Sequence, residues 1–257
     1  MTGPVRSFGE VSVVVDGDHV AEVEMHRPPA NYFDAALLSG IVDAIGWAAG
    51  VNARAVVLCS EGRHFCAGLD FGATGRPQPT TLATLYAHAH QLVDAPLPVV
   101  AAVQGSAVGG GLGLALAADF RVGAASSRFT ANFSRLGFHQ GFGISLTLPA
   151  TVGRQRALDL LTTGRRVEGP EALAIGLIDR IDDDPRSGAR ALALELAASA
   201  PLAVRSIRRT LRAGLVDGFG AMVVHEQAEQ LRLMETADFR AGIAASMARR
   251  TPEFWGE

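Results

Sequence analysis

Valine recurs through Val11–Val15 and again through Val20–Met25, with polar residues interleaved. Such runs predict two strands, and Asp16-Gly17-Asp18 between them supplies a turn. Residues 35–49 place apolar side chains at helical spacing behind Asp34, which suits an N-cap. A short buried strand is predicted over 53–59. Residues 72–81 are rich in Gly, Pro and Thr and predict a mobile loop. A helix over 82–93 and a strand over Val99–Val103 follow. A glycine cluster then leads into a helix reaching about residue 118, and a strand is predicted over 120–124. Alternating strands and helices argue an α/β architecture. From Ser187 onward the pattern is helical only, with helices predicted over 189–200, 201–213, 217–234 and 238–249. The expected organisation is therefore an α/β core over 1–186 and a helical region over 187–257, with no internal repeat and no low-complexity segment.

Composition narrows the picture. The 257 residues are 48% apolar and 19% charged, enough to bury a sizeable core. A net charge of −3 leaves no global electrostatic footprint for nucleic acid. The two cysteines, Cys59 and Cys66, have no metal-type spacing around them, and so cysteine-poor a chain argues against a structural disulfide. Residues 97–118 are long and apolar enough to invite a membrane-spanning reading. Pro98, Gln104, Ser106 and five glycines favour a strand, a loop and a buried helix instead. Residues 1–10 lack a basic-then-apolar leader pattern, so the expected location is the cytoplasm, with no membrane partner.

Two turns carry candidate chemistry. Phe65-Cys66-Ala67-Gly68-Leu69-Asp70 follows one strand; Gly105-Ser106-Ala107-Val108-Gly109-Gly110-Gly111 follows another and opens a helix. Glycine lets a backbone approach a ligand closely. A helix start presents unpaired N–H groups that favour negative charge. Two such groups converging on one oxygen make an oxyanion hole; taken singly, each is also simply a tight turn.

The chain resembles the crotonase (enoyl-CoA hydratase/isomerase) superfamily along nearly its whole length. The matching pieces, in order, begin with His26-Arg27-Pro28-Pro29-Ala30-Asn31, the turn at 65–70 and Pro98-Val99-Val100-Ala101-Ala102-Val103-Gln104-Gly105. Gly109-Gly110-Gly111, Ala118-Asp119-Phe120-Arg121, Leu148-Pro149-Ala150-Thr151-Val152-Gly153 and Thr163-Gly164-Arg165-Arg166 continue them, and Glu171-Ala172 and Gly176-Leu177-Ile178 complete the set. The resemblance implies a crotonase-like spiral of repeated β-β-α units with a helical C-terminal region, assembled as trimers or paired trimers. It implies an acyl-CoA thioester as the partner, with coenzyme A part of the substrate and no separate cofactor or metal. The thioester oxygen would be held by the backbone amides of Leu69 and Gly110. Arg27, Cys66, Ala67, Asp70 and Phe133 fall at substrate- or CoA-contacting positions.

The resemblance fails at the acids. Hydratases of this family use two glutamates for proton transfer, and the matching positions hold Gly113 and Phe133. A further acid used by some isomerases and dehalogenases falls on Gly141. Neither glycine nor phenylalanine transfers protons, and no Asp or Glu lies between Phe120 and Leu158. His139, in the loop that the resemblance places beside the acyl pocket, fits a general base near neutral pH; it equally fits a histidine that hydrogen-bonds its own loop. Asp70 fits catalysis or bracing of its turn, and His64 fits a structural place on that turn or one near CoA. Tyr86 and His90 share a helix face and read as packing. Arg205, Arg208, Arg209 and Arg212 lie on one helix face, which predicts a solvated stripe or a surface for phosphate or a neighbouring subunit. The resemblance places Arg249, Arg250 and Phe254 near a neighbour's adenine pocket. Two functions are expected: an enzyme of atypical lyase, isomerase or hydrolase chemistry in fatty acid metabolism, or a non-catalytic acyl-CoA-binding or regulatory protein. A purely structural subunit leaves the glycine-built turns without a purpose.

Overall fold

The computed structural model describes residues 3–257, apart from the side chains of Ala73 and Thr74. It opens with three antiparallel strands, β1 (Arg6–Phe8), β2 (Val11–Val15) and β3 (Val20–Met25). Asp16 makes the predicted turn by accepting the amides of Asp18 at 2.9 Å and Val20 at 3.0 Å on one carboxylate oxygen. Helix α1 (Ala35–Gly50) begins where expected, because Asp34 accepts the Leu37 amide at 2.9 Å. It buries Leu37, Leu38, Ile41, Ala44, Ile45 and Ala48. Strand β4 (Ala55–Ser60) is buried at every position.

A spiral then sets in. The turns after β3 lay β4, β5 (Val99–Val103), β7 (Phe120–Gly123) and β10 (Arg180–Ile181) side by side and parallel, giving a seven-stranded sheet in the order β1-β2-β3-β4-β5-β7-β10. Each turn also sends a segment to a second, small sheet. Cys66 bridges to Ala107 in parallel, and β6 (Ser106–Val108) pairs with β8 (Arg128–Thr130), which pairs with β9 (Arg166–Glu168). A helix closes each turn. These are α2 (Phe71–Thr74) with α3 (Pro79–Val93), α4 (Gly110–Ala117), α5 (Ile144–Val152) with α6 (Arg154–Thr163), and α7 (Gly169–Ala174). Helices α8 (Pro185–Ala197), α9 (Pro201–Leu233) and α10 (Ala237–Met247) complete the chain.

Three expectations are corrected. The segment over 72–81 is not one loop: α2 forms at Phe71–Thr74, and Pro79 starts α3 at its first helical position. The helices expected over 201–213 and 217–234 are one 33-residue helix. A glycine inside a helix costs only about 1 kcal/mol relative to alanine, and burial of Phe219, Val223, Glu226 and Gln230 outweighs Gly214, Gly218 and Gly220. Helix α8 spans residue 187 and packs on the sheet, with Ala189, Leu192, Ala193 and Ala197 against Val57, Val100, Ala102 and Val122. Of the arginine face at 205–212, Arg209 is exposed, whereas Arg205, Arg208 and Arg212 turn inward onto partners of this chain. Arg208 Nε lies 2.8 Å and Arg212 Nη1 2.9 Å from the two Asp119 carboxylate oxygens. Asp119 also accepts the Val99 amide at 2.8 Å, so one carboxylate ties α9 to the sheet. Residues 97–118 resolve into β5, β6 and α4, and no helix among the described residues is long and apolar enough to cross a membrane.

Candidate functional site

The two glycine turns meet. Cys66 N–H donates to Ser106 O at 3.1 Å, and Val108 N–H donates to Cys66 O at 3.0 Å. Gly68 has φ +82°, a left-handed conformation that side chains disfavour. A Cβ at Gly68 would stand 2.9 Å from Val108 O and 3.1 Å from Gly110 N, and one at Gly111 would run into Cys66 O. Glycine is therefore what lets the 65–70 turn lie against the start of α4. Leu69 and Gly110 come to one cavity wall as a result. Among the described residues neither the Leu69 nor the Gly110 N–H has an acceptor. Gly110 opens α4, so its amide sits at the positive end of the helix.

The cavity holds about 490 Å³. Phe33, Phe71, Phe133, Phe138 and Phe142 give it aromatic walls, and Leu82, Leu85, Met234 and Ile243 extend the apolar lining. The rings pack on one another: Phe33 and Phe142 centroids are 5.2 Å apart, and Phe133 and Phe138 are 5.5 Å apart in an edge-on arrangement.

The three positions at which the resemblance expects acids, 113, 133 and 141, are crowded by aromatic and amide side chains. Phe133 itself lines the cavity and is buried. At Gly113 a Cβ would meet the Phe142 Cβ at 2.8 Å and its ring at 2.9 Å, so Phe142 occupies the space that a longer side chain would need. Gly141 faces Tyr86 and Gln230, whose side-chain atoms take the position of any Cβ there. The Tyr86 hydroxyl donates to Gln230 Oε1 and receives the Phe142 amide. Gln230 Nε2 donates to His139 O at 3.0 Å. Burial pushes the Tyr86 phenol far above its usual range, so it stays protonated. Tyr32, Asp70 and Tyr86 are the side chains with a titratable oxygen in the lining. Asp70 braces its turn by accepting the Gly72 amide at 3.0 Å. Burial raises the Tyr32 phenol, and Asp70 and Cys66 reinforce the shift.

The remaining predicted residues separate. Ala67 lines the cavity. Cys66 stands behind the wall, fully buried, its Sγ accepting the Gly68 amide at 3.4 Å; burial pushes its thiol up to about 12, where it is unreactive. Arg27 is off the cavity, held by Glu10 and, at 2.9 Å, by Asp34. His139 is also outside the lining. Its Nδ1 lies 2.8 Å from Gln140 O, and its ring stands edge-on to His225 at 5.9 Å. His64 is off the cavity, and burial, with Arg63 and Arg128 nearby, lowers its pKa. His90 stacks on Phe219 at 5.5 Å, as packing. Arg249, Arg250 and Phe254 line a second cavity of about 690 Å³ with Arg135 and Arg166, and it adjoins the first at Asn132, Leu136 and Ser246. Sequence reasoning missed the wall from the last two helices: Gln230 and Met234 after or within α9, and Ile243, Ser246 and Met247 from α10. No local pattern marks those positions.

Comparison with known proteins places the chain in a family. The enoyl-CoA hydratase/isomerase family model matches residues 16–257. A "probable enoyl-CoA hydratase" of Rhodobacter capsulatus is 36% identical over 92% of this chain and 95% of its own. Another so described, from Bacillus subtilis, is 31% identical over 96% of this chain and 99% of its own. Among solved structures, the enoyl-CoA hydratase/isomerase of Pseudoalteromonas atlantica superposes with a TM-score of 0.85 at 27% identity, covering 96% of this chain and 100% of that one. The spiral is therefore the crotonase fold, and the chain belongs to the enoyl-CoA hydratase/isomerase family.

Proposed function

We propose that this chain binds an acyl-CoA thioester with the acyl group in the aromatic cavity and the thioester oxygen on the Leu69 and Gly110 amides. The observation that carries the reading is the pair of acceptor-free N–H groups on the wall of one apolar cavity. Such a pair stabilises an enolate or a tetrahedral oxyanion, and one donor is typically worth about 10²- to 10³-fold in rate. The chemistry is not two-carboxylate hydration, because Gly113, Phe133 and Gly141 carry no proton donor and Phe142, Phe133 and the Tyr86–Gln230 pair fill the space. His139, outside the lining, gives way to Asp70 as the group that would move a proton. Isomerisation through an enolate needs a single such group, which makes it the favoured reaction.

A second reading is a non-catalytic acyl-CoA-binding protein. It is favoured by the same phenylalanines, which turn the family's proton-transfer site into an apolar wall suited to holding a chain. Titration calorimetry with octanoyl-CoA, followed by incubation with 3-enoyl-CoA, separates the two. Both readings expect saturable binding that Gly68→Ala weakens at least tenfold. A shift of the double bond, lost in Asp70→Asn, identifies the isomerase; binding without conversion identifies the binding protein. Absence of binding contradicts both.

A further inference from the structure

The face of the β2–β3–β4 ribbon that α8 partly covers carries a second constellation at its margin. Ser12 is in register with Glu24, and Glu24 with Cys59. His26 and Glu61 lie two residues further along, with Glu61 N–H donating to Met25 O at 2.8 Å. Side chains alternate between faces with a period of two, so Ser12, His26 and Glu61 emerge on one face. Ser12 and His26 are diagonal neighbours; His26 and Glu61 are beside each other. Ser12 Oγ lies 2.7 Å from His26 Nε2, and His26 Nδ1 lies 3.0 Å from Glu61 Oε2. A hydroxyl, an imidazole and a carboxylate are thus hydrogen-bonded in series. None of the three lines the acyl cavity.

The order of the three groups fixes the proton. The Glu61 carboxylate requires a proton on Nδ1, which in the neutral ring leaves Nε2 as an acceptor for the Ser12 O–H. That is the arrangement by which an imidazole takes the proton of an attacking hydroxyl. Ser12 and His26 are half-buried and Glu61 is exposed, so the three groups lie at the protein surface.

We propose that Ser12 is a base-activated nucleophile, with His26 as its base and Glu61 orienting the ring, that accepts acyl groups from activated esters and thioesters. Ser12 Oγ attacks the carbonyl carbon and passes its proton to His26 Nε2. The carbon–sulfur or carbon–oxygen bond breaks, and His26 returns the proton to the departing thiolate or alkoxide. An ester on Ser12 and a free thiol or alcohol result. Strand β2 is paired on both edges, with β1 and β3, so its flanking amides are not arranged as an oxyanion hole. The site therefore accepts an acyl group without rapid turnover.

The probe is p-nitrophenyl acetate with the intact chain, followed by peptide mass mapping. All 23 basic residues are arginine, so no lysine amine competes for the acetyl group. The expected result is acetyl on Ser12, formed at least tenfold faster than on any other serine and absent in Ser12→Ala. His26→Ala lowers the labelling rate by about 10²-fold, the scale of lost general-base assistance, and added imidazole restores part of it. His26→Asn gives the same loss should the alanine variant misfold. Ser12 labelling no faster than that of the other serines, or unchanged in both His26 variants, overturns the proposal. Octanoyl-CoA binding is the same in Ser12→Ala as in the parent, so this outcome is independent of the acyl-CoA site.

Discussion

At Gly113 the chain has no room for a carboxylate. Phe142 stands 2.8 Å from where a Cβ would be, so Gly113→Glu alone forces overpacking and costs about 1–3 kcal/mol. Phe142→Ala makes the room and by itself opens a void. The two changes are coupled, and the double variant should unfold in urea at a higher midpoint than the sum of the single effects predicts. With Phe133→Glu added, both proton-transfer positions hold acids, and hydration of crotonyl-CoA should appear; Phe133→Glu alone should not confer it. At this scale the residue types at 113, 133 and 141 are read straight from the sequence. What packs against them was not legible. Tyr86 and Gln230 are 144 residues apart, and no periodicity joins them. His139 shows the same limit: its position in the chain was clear, whereas its orientation toward Gln140 and His225 is set by packing.

Helices and strands were read well where their signal is local. Asp34 caps α1, and the valine runs are strands, because side-chain pattern and capping decide both. The reading failed where a distant partner decides. Helix α9 runs through three glycines, and Arg208 and Arg212 turn inward, because Asp119 lies opposite them. The Asp119→Ala variant leaves Arg208 and Arg212 buried without a counter-charge, so it should lose about 3–5 kcal/mol in chemical denaturation. Glu226 of α9 gives a pH signature. Burial pushes its carboxyl up, against the hydrogen bonds from Ser145 and Gly143 that favour the charged form. A group with a raised folded-state pKa contributes stability below its unfolded value, about 4.3 for glutamate, and that contribution disappears as pH rises through the folded value. Urea midpoints should fall across that interval in the parent protein, and Glu226→Gln should flatten the decline.

The whole molecule places its site by topology. Each turn of the spiral returns the chain to the same edge, so turns 35 or more residues apart along the chain, at 65–70 and 105–111, meet beside one cavity. The order of family motifs made that spiral legible; the cavity's far wall depends on how α9 and α10 pack and was not. Helix α9 also exposes Ile207 and Leu211 at 59% and 81%, one helical turn apart. Light scattering should find a trimer or a pair of trimers, and Leu211→Asp should shift it toward monomer if this face is the contact. The most direct test of the central claim, a thioester site whose family acids are gone, is mass analysis of crotonyl-CoA after incubation with the purified chain. Crotonyl-CoA should bind saturably and be recovered without added water. Accumulation of the hydrated thioester would contradict it and would mean that a group other than those at 113, 133 and 141 carries the protons.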